Sequence, residues 1–148
     1  MVSMKIRQIA VAWLPAVLWM AFIFYLSAQS RPLGKTPSTA LSYSAHFGEY
    51  AVLAFLLFWA QLSRGRWKGR VTLSLAISFV LAALYGASDE FHQSFVPGRD
   101  ASPLDVAADA AGAAFALILI GRWGHDFLWR QVRYRRTVLP AGPRRGRP

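Results

Sequence analysis

Residues 85–109 read Tyr-Gly-Ala-Ser-Asp-Glu-Phe-His-Gln-Ser-Phe-Val-Pro-Gly-Arg-Asp-Ala-Ser-Pro-Leu-Asp-Val-Ala-Ala-Asp, between two apolar runs. Five of the seven acidic residues of the chain lie in this stretch, with one of its three histidines, His92. The flanking sequence is apolar enough to cross a membrane, where a charged side chain is costly to place. The stretch therefore indicates a functional site between two membrane helices; a polar connecting loop is the alternative hypothesis.

Four apolar runs predict an all-α membrane protein with four transmembrane helices. Residues 8–30 hold no charge, and these 23 residues are enough to cross a ~30 Å hydrocarbon core. A signal peptide is the alternative for this first run, because Lys5 and Arg7 precede it. Ser102 is predicted to cap the fourth helix, with Pro103 at its first position. The predicted spans cover residues 8–30, 45–62, 71–88 and 102–121, joined by loops at 31–44, 63–70 and 89–101.

The basic residues predict the orientation. Of the 17 Lys and Arg residues, 14 lie before the first span, in the turn at 63–70 or after residue 121. The positive-inside rule then places both termini in the cytoplasm and the other two loops outside. We expect a multi-pass protein of the bacterial cytoplasmic membrane, with a transmembrane domain at 1–121 and a basic, partly disordered cytoplasmic tail at 122–148.

Composition excludes some functions. The chain has no cysteine, so neither a disulfide nor a thiolate metal site can form. A net charge of +10 could suggest nucleic acid, but the basic clusters lie where topology signals belong. We therefore expect membrane lipids as partners and no nucleic acid.

Two helical spacings predict one polar site at the outer leaflet. His46, Glu49 and Tyr50 follow the i, i+3, i+4 pattern and share a face at the start of the second span. Asp105 and Asp109 are four residues apart and point the same way from the fourth helix. Carboxylates at this depth must be protonated or partnered, so we expect the two groups to lie in one cluster.

The central loop should complete this cluster. If the third helix continues to Gln93, the side chains of Asp89, His92 and Gln93 share a face, and Glu90 points elsewhere. The turn pair at Pro97 and Gly98 would fold the loop back over the cluster. Arg99 would then lie above it.

The same residues resemble a known family. The signature of the VanZ-like family is similar to the run Asp89-Glu90-Phe91-His92-Gln93-Ser94-Phe95-Val96-Pro97-Gly98-Arg99, followed by Asp105 and Gly112. A second family motif resembles His46, Tyr50 and Leu53. The resemblance implies a membrane protein of envelope physiology, in a family named for resistance to the glycopeptide teicoplanin. Relatives often carry Asn where this chain has Asp109, and many carry Lys where it has Tyr43.

Three functions are compatible with these residues. In the first, the site binds an anionic lipid, a lipid-linked wall precursor or a glycopeptide. The binding residues would be His46, Glu49, Tyr50, Asp89, Gln93, Arg99, Asp105 and Asp109, with the Arg99 guanidinium as the anchor. In the second, an enzyme acts on a phosphate-bearing lipid with Glu90 or His92 as general acid or base.

In the third, His46, Glu49, His92 and a carboxylate hold a divalent metal. We predict no metal and no cofactor, because the chain lacks a compact ligand motif. A buried ion-pair network that only holds the helices together is the structural alternative. The sequence does not determine the oligomeric state.

Overall fold

The computed structural model describes residues 2–30, 39–63, 70–99 and 101–124 of the 148-residue chain. Within these ranges it contains helices and no strand. The helices are α1 Val2–Ser27, α2 Thr39–Ser63, α3 Val71–Gln93 and α4 Pro103–Leu119, and a π-helical turn, Ile120–Gly124, continues α4. All four are long and apolar enough to cross a membrane. The predicted all-α membrane fold with four spanning helices is confirmed.

Contacts between helix ends define an up-and-down bundle. The ring of His92, near the end of α3, stacks on Phe24, near the end of α1. Gln61, near the end of α2, bonds to Ser74, near the start of α3. One end of the bundle therefore gathers the ends of α1 and α3 with the starts of α2 and α4, and the polar residues predicted to form the site lie there.

The closest helix pair is α2 and α4. Its contact depends on Gly112, because a Cβ atom there would overlap the backbone of Phe47. Small residues at such crossings let membrane helices approach closely. The apolar core cluster of the described bundle consists of Ala16, Ile23, Tyr50, Leu53, Ala54, Leu57, Phe58, Ala82, Ala113 and Leu117.

The bounds of all four helices differ from the predicted spans, and α2 and α3 extend well into segments predicted to be loop. α2 begins at Thr39, although residues up to 44 were predicted to be loop. Here the hydroxyl of Ser44 donates to the carbonyl of Ala40, so a polar side chain is accommodated within the first turns of the helix. α3 continues to Gln93, five residues past the predicted span. Its polar residues remain helical because they face other helices of the bundle.

Several predictions lie outside the described residues. They concern the loop at 31–38, the basic turn at 64–69, Asp100 and the tail from residue 125 onwards. The division into a transmembrane domain and a tail, and the cytoplasmic placement of both termini, remain predictions.

Candidate functional site

Nine polar residues from three helices occupy the end of the bundle where α2 and α4 begin and α3 ends. We call them the polar cluster: His46, Glu49, Tyr50, Asp89, Glu90, His92, Gln93, Asp105 and Asp109. All were predicted site residues. Seven of them are buried, and only Glu49 and His92 are partly exposed.

The cluster is organised by a side-chain hydrogen bond between α2 and α4. The imidazole Nδ1 of His46 lies 2.9 Å from the carboxylate Oδ1 of Asp109, and both residues are buried. Gly86 of α3 makes room for this pair, because a Cβ there would lie 2.8 Å from Asp109 Oδ2. Tyr50 lies on the other side of the same glycine, with its ring 3.2 Å from that Cβ position. The predicted meeting of the second helix with the fourth is therefore present.

Asp89 and Glu90 occupy different faces of α3, and both are buried. Asp89 Oδ2 accepts a 3.0 Å hydrogen bond from the side-chain amide of Gln93. Glu90 Oε2 accepts a 2.8 Å bond from the backbone N–H of Ser102, the residue that caps α4. The Ser102 hydroxyl accepts from Leu104 N–H, which confirms the predicted N-cap. Glu90 thus joins the end of α3 to the start of α4.

His92 and Arg99 lie toward α1. The ring of His92 stacks on Phe24 with 4.4 Å between the ring centroids. Arg99 donates from Nε to the carbonyl of Gln29 at 3.1 Å and from Nη2 to that of Leu26 at 2.7 Å. Leu26 lies in the last turn of α1 and Gln29 lies two residues beyond its end, so the guanidinium caps that helix and connects the loop after α3 to it. The anchor role predicted for Arg99 remains a prediction.

Glu49 and Arg99 interact electrostatically across the cluster. Glu49 is partly exposed and also interacts with His46, Asp89 and Asp109. Of these neighbours His46 lies on α2 with Glu49, whereas Asp89 lies on α3 and Asp109 on α4.

Six buried side-chain atoms in the described part of the chain have no hydrogen-bond partner, and every one belongs to the polar cluster. They are Tyr50 Oη, Asp89 Oδ1, Glu90 Oε1, His92 Nε2, Asp105 Oδ1 and Asp109 Oδ2. Buried polar atoms are normally paired, because an unpaired one forfeits its hydration without compensation. The cluster therefore has unused capacity to bind a polar ligand.

Three members could also coordinate a cation. His46, Glu90 and Asp105 each offer a ligand atom, and these three atoms lie within 4.8 Å of one another. This set differs from the one considered from the sequence, in which Glu49 and His92 accompanied His46. The difference arises because Glu90 faces α4, a direction that depends on helix packing.

Sequence reasoning missed a second buried polar group, which we call the Gln61 triad: Gln61, Ser74 and Ser78. The amide of Gln61 donates to Ser78 Oγ at 2.7 Å, and Ser74 Oγ donates to Gln61 Oε1 at 3.2 Å. The signal in the sequence was a pair of serines four residues apart within an apolar span. Such serines also bond to their own helix, so the spacing does not identify a partner.

Comparisons with known proteins agree with the motif resemblance. The model of one family, VanZ/LLP1, matches residues 12–124, which include most of α1, the whole of α2, α3 and α4, and the whole polar cluster. No curated protein and no solved structure matches the chain.

Proposed function

Because the chain belongs to the VanZ/LLP1 family of membrane proteins, we propose that its polar cluster binds the head group of an anionic lipid or a lipid-linked wall precursor. Through this binding the protein acts in bacterial envelope physiology or in resistance to teicoplanin-like glycopeptides. Membership in the family supports a role in the bacterial envelope. The unpartnered polar atoms of the cluster support the binding of a head group.

The six unpartnered buried atoms carry the proposal. A network that served only to hold helices together would pair its own groups, since each unpaired one destabilises the fold by about 1–3 kcal/mol. Among the described residues, His46 and Asp109 are the one pair of basic and acidic side chains within salt-bridge distance. The remaining acids are therefore available to an external partner.

The distribution of basic residues supports an outward-facing site. Because 14 of the 17 basic residues lie before the first apolar run, between the second and third, or after residue 121, the positive-inside rule predicts that the polar cluster lies at the outer leaflet. Wall precursors are displayed on that leaflet and glycopeptides reach it. Exposed aromatic rings at this end, Phe91 and Phe95, suit the interface between hydrocarbon and water.

The chemistry of the cluster suits a head group with both donors and acceptors. Carboxylate oxygens of Asp89, Glu90 and Asp105 accept hydrogen bonds from hydroxyl, amide or ammonium groups. The Tyr50 hydroxyl can donate. For a phosphate, the candidate donors are the guanidinium N–H groups of Arg99 that do not bond to α1.

The His46–Asp109 pair favours a second function, an enzyme acting on a phosphate-bearing lipid. A carboxylate that holds one imidazole nitrogen orients the other for proton transfer. This assigns the base to His46, whereas the sequence pointed to Glu90 and His92. Glu90 would remain close enough to act in the same site through Oε1.

Drug susceptibility of cells expressing single variants tests the proposal, with each value normalised to the amount of protein inserted in the membrane. In a binding protein, Arg99→Lys loses the bidentate fork and should abolish resistance, while Glu90→Gln weakens it. In an enzyme, His46→Gln or Glu90→Gln should abolish it. Ser78→Ala, in the Gln61 triad, is the matched control and should retain full activity per molecule. If all four variants match the wild type after normalisation, the polar cluster is not the functional site.

A further inference from the structure

We propose that the polar cluster holds one divalent cation of the zinc or manganese class, with His46, Glu90 and Asp105 as its protein ligands. The three residues come from α2, α3 and α4, so the ion would join three helices at one point. The inference concerns the cation alone and holds whether or not a head group binds.

The positions of the donor atoms support the site. One ligand atom from each residue lies within 4.8 Å of the other two. Two ligands bound at about 2.1 Å to a tetrahedral metal lie about 3.4 Å apart, so binding requires a contraction of little more than 1 Å.

Two hydrogen bonds already orient the ligands. Asp109 holds Nδ1 of His46 at 2.9 Å, which leaves Nε2 as the ring nitrogen for the metal. The Ser102 N–H holds Oε2 of Glu90 at 2.8 Å, which leaves Oε1. A carboxylate on the far nitrogen of a metal-binding histidine is a recurrent arrangement, because it fixes the ring and raises its basicity.

The unpartnered oxygens are the second, independent indication. Glu90 Oε1 and Asp105 Oδ1 are both buried without a hydrogen-bond partner among the described residues. Their residues are only 5% and 8% exposed. Two buried carboxylates close together repel each other and lack hydration, so each gains from a shared cation.

The donor set indicates the class of metal. One imidazole and two carboxylates suit zinc, manganese or ferrous iron, whereas copper(I) and iron–sulfur clusters prefer thiolates, which this chain lacks. Three protein ligands leave at least one coordination position open. Asp89 and the Tyr50 hydroxyl lie in the same cluster and are not needed as ligands.

Metal titration of the full-length protein in detergent tests the site. The purified protein is stripped with a chelator, dialysed, and titrated with zinc or manganese by calorimetry, while elemental analysis gives the stoichiometry. We expect one ion per chain with micromolar affinity or better, and a rise in the thermal midpoint on adding metal, because the ion binds only the folded state.

The variants His46→Gln, Glu90→Gln and Asp105→Asn should each weaken binding by at least about tenfold. Ser78→Ala, a buried polar change at the other end of the bundle, should bind as the wild type does. A wild-type protein that takes up no ion would overturn the proposal even if some variants fail to fold. Equal affinity in the wild type and all three variants would also overturn it, because the metal would then lie elsewhere on the chain.

Discussion

The Gln61 triad and the polar cluster lie at opposite ends of this bundle, and they differ in whether their hydrogen-bonding groups are paired. In the Gln61 triad every side chain finds a partner: Gln61 bonds to both serines and to the carbonyl of Leu57, and Ser78 donates to the carbonyl of Ser74 at 2.8 Å. The triad is uncharged and closes on itself. It joins α2 to α3 and needs nothing from outside.

The polar cluster is charged and does not close on itself. All six unpartnered buried atoms of the described chain lie in it, and none lies in the triad. The Gln61 triad demonstrates that this bundle can pair all the hydrogen-bonding groups of a buried polar network. The same was physically possible at the end that holds the polar cluster. The difference supports the proposal that the cluster is a functional site, because functional sites often keep polar groups that cost stability.

Replacing Gly112 should lower the stability of the protein more than any other variant proposed here. The substitution removes the contact between α2 and α4 that assembles the polar cluster. In Gly112→Val a Cβ would lie 2.8 Å from the carbonyl carbon of Phe47, and α2 and α4 must separate. We expect a loss of more than about 3 kcal/mol in the free energy of unfolding, from overpacking. Thermal unfolding in detergent measures it.

Gly48→Ala is the matched control on the facing helix. A Cβ at Gly48 meets nothing within 4 Å. This variant should be as stable as the wild type or gain up to about 1 kcal/mol, because alanine favours the helix. Equal losses in both variants would show that the α2–α4 contact does not depend on Gly112.

Asp109→Ala should have the next largest effect. It removes the partner of His46 Nδ1 and leaves a buried imidazole without its bond, which costs about 2 kcal/mol. Asp109→Asn keeps an oxygen that can accept from a neutral imidazole and should lose less. Chemical unfolding followed by intrinsic tryptophan fluorescence compares the two. A larger loss for the Asn variant would contradict the assigned bond.

Ser78→Ala tests the Gln61 triad, in which every side chain has a hydrogen-bond partner. It removes the acceptor of the 2.7 Å bond from Gln61 and should cost about 1 kcal/mol in stability. Activity per inserted molecule should not change. A loss of activity with unchanged stability would mean that the triad, and not only the polar cluster, takes part in function.

Two tyrosine variants should change stability least. They compare a buried hydroxyl that has no partner with one that is hydrogen-bonded. Tyr50→Phe removes a buried hydroxyl that has no partner, so stability should equal that of the wild type or exceed it by up to about 1 kcal/mol. Tyr85→Phe removes a hydroxyl that donates to the carbonyl of Met20 at 2.6 Å and should cost about 1 kcal/mol. Both are measured by the same thermal unfolding assay. If Tyr50→Phe proved the more destabilising, its hydroxyl would have a structural partner.

Much of this architecture could be predicted from the sequence. Long uncharged runs predicted four helices, and the spacing of His46 with Tyr50 and of Asp105 with Asp109 placed each pair on one face. These patterns are local, and helical geometry converts them directly into faces. The family match over residues 12–124 agrees with the resemblance seen in the motifs.

What the sequence did not predict depends on how helices pack against one another. The pairing of His46 with Asp109 rather than with another acid requires the close α2–α4 crossing at Gly112. The capping of α1 by Arg99 joins residues 70 or more positions apart. The start of α2 at Thr39 was also missed, and the continuation of α3 to Gln93 was only a conditional expectation, because polar residues that face a neighbouring helix do not end a helix.

The most direct test of the central claim is the stability of Glu90→Gln in chelator-treated protein. The amide keeps an oxygen for the Ser102 N–H and removes only the buried charge, so it leaves the observed bond in place. If the polar cluster is retained for a ligand, the unfolding midpoint of the variant should equal or exceed that of the wild type, because an uncompensated buried charge is gone. A midpoint lowered as far as that of Asp109→Ala would contradict the account, since Glu90 would then be a structural partner like the residues of the Gln61 triad.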